Sequence, residues 1–335
     1  MASAPQPSVP SATAAFDADR LDVGEGHRLY YEQAGAADGM PVVVLHGGPG
    51  SGSTARQREF FDGQRYRIVQ FDQRGSGRSE PLGETRHNHT DALIADIEAL
   101  RIHLGIDRWL VCGGSWGSAL AVAYAACHRD RVSGVLLRGI FLTGQGDLDW
   151  FFHGAAALAP DANAEFLRIV PRRWQRSVVT WLDRCFERDD PRCGRIAAAW
   201  QAYELTLSGD HPAPRTGSTR VADVEGSPRL VAKYRVQAHY LRRQCFLGER
   251  AVLRAASTLR GMPVAIVHGE QDRICRPFNA WRLHRACPDS RLAWAPQAGH
   301  DPFHPATSSL LRSASDTFAS AGDFATWPPM TAGRA

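Results

Sequence analysis

The stretch Trp109-Leu-Val-Cys-Gly-Gly-Ser-Trp-Gly-Ser-Ala-Leu120 decides how this 335-residue chain is read. Its first four residues are strand-like, and an alanine-rich helical pattern runs over 115–128. Between them Gly113-Gly114-Ser115-Trp116-Gly117 fits G-x-S-x-G. Glycines on both sides of a serine allow a cramped strand-to-helix turn that lifts the hydroxyl out of a sheet. The helix that follows aims its N-terminus at negative charge developing beside that hydroxyl. A glycine-rich structural turn would use the same letters; the strand before and the helix after favour a nucleophile at Ser115.

Around this turn, strand patterns occur at 27–33, 41–46, 66–72, 109–112 and 134–138, with helical patterns at 90–104 and 115–128. The run Pro41-Val-Val-Val-Leu45 is continuously apolar, as a central strand buried on both faces should be. Strands alternating with helices predict a mostly parallel α/β sheet flanked by helices. The pattern then changes: 150–159, 174–187, 195–207, 228–246 and 250–259 read as amphipathic helices with no strand between them. Strands return at 263–268 and 291–295, and a helix closes at 308–319. The predicted organisation is a flexible tail over 1–18, an α/β core over 19–143 and 260–320, an inserted all-helical cap over 144–259, and a second tail over 321–335.

A serine nucleophile needs a base, and the base an orienting acid. Behind an elbow of this kind they follow in the order serine, acid, histidine. Gly269-Glu270-Gln271-Asp272 follows one late strand and Gln297-Ala298-Gly299-His300 the other. Both lie at strand ends, where parallel sheets carry their sites. Asp272 is the predicted acid and His300 the predicted base, with Glu270 and His304 as the rivals. His268, inside a strand, reads as a satisfied core histidine. His46-Gly47-Gly48-Pro49-Gly50 leaves the apolar strand directly, and the amides of Gly48 and Trp116 are the predicted oxyanion donors. His46 reads as a loop organiser rather than a base. In Phe71-Asp72-Gln73-Arg74-Gly75, Asp72 and Arg74 are expected to brace neighbouring loops.

Composition removes other classes. The chain is 44% hydrophobic and 22% charged, which excludes wholesale disorder. No apolar run is long enough to cross a bilayer, and the N-terminal residues lack a basic region followed by an apolar one, so a cytoplasmic protein is expected. The net charge of +4 is carried almost wholly by scattered arginines, Lys233 being the only lysine; no stripe suited to nucleic acid forms. None of the thirteen histidines has metal-ligand spacing, so no metal or cofactor is expected. The seven cysteines contain no C-x-x-C pair and read as reduced, Cys185 and Cys193 being near enough in sequence to leave pairing open.

Together these residues resemble the proline iminopeptidase (prolyl aminopeptidase) family of serine peptidases, of the α/β-hydrolase fold. The resemblance runs from Leu21 to Phe318 and rests on HGGPG (46–50), FDQRGSGRS (71–79), GGSWGSALAVAYA (113–125), LLRGIFL (136–142), HGEQDRICRP (268–277) and QAGH (297–300). It implies a triad of Ser115, Asp272 and His300, release of N-terminal proline from small peptides, and a cap that encloses the substrate's free amine. It also implies a carboxylate for that amine: Trp200-Gln-Ala-Tyr203-Glu204 matches the family's W-x-x-[W/Y]-E, which makes Glu204 the anchor. The family's second glutamate lies in R-I-E-x-H-Y, and here Arg235-Val236-Gln237-Ala238-His239-Tyr240 carries Gln237 instead. Arg138, Phe141, Trp150 and Phe151 are the further substrate-side candidates, the 150–152 stretch lacking a tyrosine that the family often has. Gln237 keeps open a same-fold esterase or amidase acting on another acyl group. Ser115 argues against the aspartate-nucleophile chemistries of this fold, and the intact Ser, Asp and His set against a silent binding protein. No membrane or nucleic-acid partner is implied, and homo-oligomerisation stays open.

Overall fold

The computed structural model describes residues 14–209 and 226–327. Eight strands form one sheet: β1 (Ala15–Asp22), β2 (Arg28–Gly35), β3 (Met40–Leu45), β4 (Tyr66–Phe71), β5 (Trp109–Gly114), β6 (Val132–Arg138), β7 (Val264–Gly269) and β8 (Arg291–Ala295). Their spatial order is β1-β2-β4-β3-β5-β6-β7-β8. β2 pairs antiparallel with both β1 and β4, and every later pairing is parallel. This is the mostly parallel, helix-flanked sheet that the alternating pattern predicts.

The continuous apolar run of β3 follows from burial on both faces. Val43 and Leu45 join a core shared with α1 (Thr90–His103) and α2 (Trp116–Cys127), whereas Val42 and Val44 face Phe60 and the closing helix α10 (Pro305–Ala321). A strand with two dry faces gains from an apolar residue at every position, so period-two alternation vanishes.

Between β6 and β7 the chain forms α3 (Gln145–Phe152), α4 (Pro160–Arg168), α5 (Val178–Glu187), α6 (Cys193–Ser208), α7 (Pro228–Arg242) and α8 (Gly248–Thr258). α8, grouped with the insertion by its sequence pattern, packs on α2 and on α9 (Pro277–Ala286), against the sheet's own helical layer. The 1–18 stretch expected as a tail falls partly outside the described residues, but from Ala15 it is strand β1. That edge strand is largely exposed, so its residues AFDADRLD show no apolar alternation. At the other end, Phe324 and Trp327 are buried beside Phe318, so the 321–335 stretch is anchored at least to Trp327. Residues 328–335 lie outside the description.

Candidate active site

Ser115 sits where β5 becomes α2, with φ 56° and ψ −125°. That backbone is costly for a non-glycine residue and is held by its surroundings. A Cβ at Gly113 would lie 2.1 Å from the Gly117 carbonyl oxygen, and one at Gly117 would lie 2.2 Å from that of Leu45. The two flanking glycines are therefore demanded by backbone passing backbone, not by flexibility. Ser118 Oγ donates to the Ser115 carbonyl at 2.7 Å and secures the first turn of α2.

Asp272 and His300 come from the loops after β7 and β8. His300 Nδ1 lies 2.7 Å from Asp272 Oδ2, while Oδ1 accepts from the amides of Ile274 (2.9 Å) and Cys275 (2.8 Å). Burial pushes the Asp272 carboxyl up, but the facing His300, its hydrogen bond, His268 and the Cys275 amide outweigh this and hold it below the usual range. An ionised Oδ2 requires the proton on Nδ1, which leaves Nε2 as the basic nitrogen. Nε2 faces Arg138 Nη1 at 3.5 Å, and Arg138 also donates to the His300 carbonyl at 3.1 Å. Cys275 lies beside Ser115 in the cavity wall. Ser115 and His300 line the same cavity, and catalytic hydrogen bonds commonly tighten only when substrate binds.

The rival residues take no part in this pair. His304 Nδ1 accepts from the Ala306 amide and caps α10, and Glu270 is exposed, while Asp272 holds His300. His268 is fully buried, accepting from the Ile140 amide at 3.0 Å and facing the Cys275 carbonyl at 2.9 Å. His46 accepts from the Gln73 amide through Nε2 and binds no catalytic group. Asp72 joins Ser53 and Arg78, and Arg74 pairs with Asp96, so both brace loops.

A Cβ on Gly47 would lie 3.3 Å from the Ser115 Cβ, so the 46–50 loop runs directly beside the serine. The amides of Gly48 and Trp116 have no partner among the described residues. Two free amides flanking a nucleophile suit a developing oxyanion.

Opposite them the insertion closes a cavity of about 320 Å³, lined by Gly48, Ser115, Phe141, Phe151, Glu204 and His300 among others. Arg138 and Gln237 also line it. Trp150 does not: its indole donates to the Arg273 carbonyl at 2.8 Å on the outer side of α3. Phe151 is fixed by Tyr203, whose hydroxyl donates to the Phe151 carbonyl at 2.7 Å and receives Asn163 Nδ2 at 3.2 Å. Glu204 on α6 accepts from Tyr234 Oη at 2.7 Å and from Gln237 Nε2, both on α7. Among the lining residues that sequence reasoning did not flag, Cys275 and Lys233 bear on the chemistry. Cys275 gave no signal beyond a small apolar residue; Lys233 gave two, as the only lysine and as the residue one helical turn before Gln237.

The described residues include no group of histidine, cysteine, aspartate or glutamate suited to a metal, and no helix long and apolar enough to cross a membrane.

The chain is similar to known proteins in both sequence and fold. A family model described as the alpha/beta hydrolase fold matches residues 40–307. The proline iminopeptidase of Xylella fastidiosa is 42% identical over 305 residues, covering 90% of this chain and 96% of that protein. The proline iminopeptidase of Arabidopsis thaliana is 40% identical over 300 residues, covering 88% of this chain and 78% of that one. Among solved structures, the Mycobacterium smegmatis proline iminopeptidase superposes with a TM-score of 0.59 at 18% identity, covering 92% of this chain and all of that one (100%). The Rhodococcus esterase RhEst1 gives 0.61 at 20%, covering 91% and 98%. At such identities the structural likeness speaks for the fold alone.

Proposed function

The chain belongs to the proline iminopeptidases of the α/β-hydrolase fold, and on that premise we propose how its own residues release an N-terminal proline. It is a hydrolase of the prolyl aminopeptidase type. Ser115 Oγ attacks the carbonyl carbon of the first residue while His300 Nε2 takes the hydroxyl proton. Asp272 keeps the imidazole in the Nδ1–H form and stabilises its protonated state. The amides of Gly48 and Trp116 receive the oxyanion. The peptide nitrogen leaves with the proton from His300, and water repeats the sequence on the acyl-serine to free proline. Phe141 and Phe151 offer apolar walls to the pyrrolidine ring, and Glu204 offers its amine a carboxylate. The cavity's modest size, about 320 Å³, fits a small peptide substrate. A cytoplasmic setting is part of the same reading, supported by seven free thiols.

The observation that carries this reading is that Glu204 lines the same cavity as Ser115 and His300. It is tested by release of 2-naphthylamine from Pro-, Ala- and N-acetyl-Pro-2-naphthylamide, with p-nitrophenyl acetate as a reference ester. Strong preference for free Pro is expected. Ester turnover without Pro-amide turnover would overturn the peptidase assignment while leaving a working serine.

A further inference from the structure

The polar end of the cavity carries no net negative charge. Its lining contains two carboxylates, Asp147 and Glu204. Asp147 is consumed by the Leu142 amide (3.0 Å), Asn279 Nδ2 (2.8 Å) and Arg276 (3.5 Å). Glu204 holds Tyr234 Oη and Gln237 Nε2, and the ammonium of Lys233 stands 3.5 Å from its Oε2. Lys233 is the only lysine among 335 residues, and it lines this cavity. A substrate ammonium approaching Glu204 therefore meets a resident cation already matched to that carboxylate.

Gln237 completes the pattern. Because a carboxylate accepts only, the amide must turn Nε2 toward Glu204. Its Oε1 is then left buried without a donor, a state that costs stability until a donor arrives. Lys233 has donors to spare, since its other neighbours are the Tyr234 hydroxyl at 3.5 Å and the Tyr234 ring at 4.7 Å. A lysine ammonium is a compact charge with three donors on a mobile stem, able to stay paired with Glu204 while offering another donor to a ligand. Lys233 and Gln237, one turn apart on α7, thus present a cationic donor beside an unfilled acceptor.

A protonated pyrrolidine has donors only and suits half of that pair. A lactam ring, with one neutral N–H and one carbonyl, suits both halves. We propose that Lys233 is a specificity-determining residue that neutralises Glu204 and opens this site to proline-sized acyl groups bearing a neutral lactam N–H, N-terminal 5-oxoproline being the simplest. The proposal rests on the reading above of this cavity as the pocket for an N-terminal residue. The chemistry is the same: the Ser115 Oγ–carbonyl bond forms, the amide C–N bond breaks, the amine leaves with the proton from His300, and water frees 5-oxoproline.

The test compares Pro-2-naphthylamide with 5-oxoprolyl-2-naphthylamide. The wild-type chain is expected to cleave both, with kcat/KM values within about tenfold of each other. Lys233→Met should raise the preference for Pro at least about tenfold, the two KM values moving in opposite directions while kcat holds. Gln237→Glu should move the preference the same way, and it serves if Lys233→Met folds poorly. Turnover of Pro alone, or a preference unchanged in both variants, overturns the proposal and leaves the aminopeptidase reading standing. Turnover of 5-oxoprolyl alone overturns the aminopeptidase reading and supports the proposal; turnover of neither overturns both.

Discussion

A Cβ built on Gly117 would fall 2.2 Å from the Leu45 carbonyl oxygen and 3.0 Å from that of His46. The helix that follows the nucleophile and the strand that leads to the oxyanion loop are therefore in main-chain contact. Gly117→Ala must push α2 away from β3, and overpacking of this kind costs about 2–3 kcal/mol. Urea unfolding is expected to show that loss, together with a fall in kcat from displacement of Ser115 relative to Gly48. An unchanged midpoint would show that the helix gives way freely.

Asp272 holds His300 in one tautomer by accepting from Nδ1 at 2.7 Å. Asparagine in its place can present an N–H to that nitrogen and leave the proton on Nε2. Asp272→Asn should lower kcat by about 10⁴-fold with the fold intact. Steady-state kinetics beside circular dichroism check this; a loss below about tenfold would remove Asp272 from its assigned role.

Tyr203 ties α6 to α3 through the Phe151 carbonyl and Asn163. Tyr203→Phe leaves Asn163 Nδ2 with one partner fewer and frees the Phe151 carbonyl, costing about 1–2 kcal/mol. Because Phe151 is the proposed ring wall, KM for Pro-2-naphthylamide should rise. Labelling of Ser115 by a fluorophosphonate should proceed at the wild-type rate, which separates a loosened pocket from a damaged nucleophile.

Acid stability should depend on Asp72. Burial raises its carboxyl, but the hydrogen bonds from Arg78 and Ser53 outweigh that and hold it below the usual range. A carboxyl with a lower value folded than unfolded stabilises the fold at pH above its unfolded value of about 4, and this contribution disappears as pH falls through the lower folded value. Asp72→Asn should therefore be clearly less stable than wild type near neutral pH. The gap should narrow as pH drops below about 4. Thermal melts across that range check the sign; a gap that widens toward acid would contradict it.

All seven cysteines are free, and Cys127 alone among them is exposed. Burial pushes the Cys112 thiol up to about 12 and those of Cys185 and Cys193 up to about 11. Ellman's reagent should titrate one thiol quickly in the native protein and seven after unfolding without reductant. Five after unfolding would reveal a disulfide, Cys185 with Cys193 being the nearest pair in sequence.

The sequence by itself determined the features that backbone geometry demands locally. Glycines at 113 and 117 mark the elbow because a Cβ at either would strike a carbonyl within about two positions of the turn or across to β3. The unbroken apolar run of β3 marks a strand with two buried faces. Such signals survive in one dimension because each residue's type answers to its own backbone or burial. The edge strand β1 was hidden for the converse reason: its stability comes from pairing with β2, and its exposed side chains carry no pattern. Only the tertiary structure decided what meets inside the cap. Lys233 and Gln237 reach Glu204 because α6 packs against α7, and Cys275 lies beside Ser115 in the cavity wall although the two are 160 residues apart in sequence. Contacts of this kind depend on how helices and loops sit on one another, so the charge at the polar end of the cavity could not be read from either helix alone.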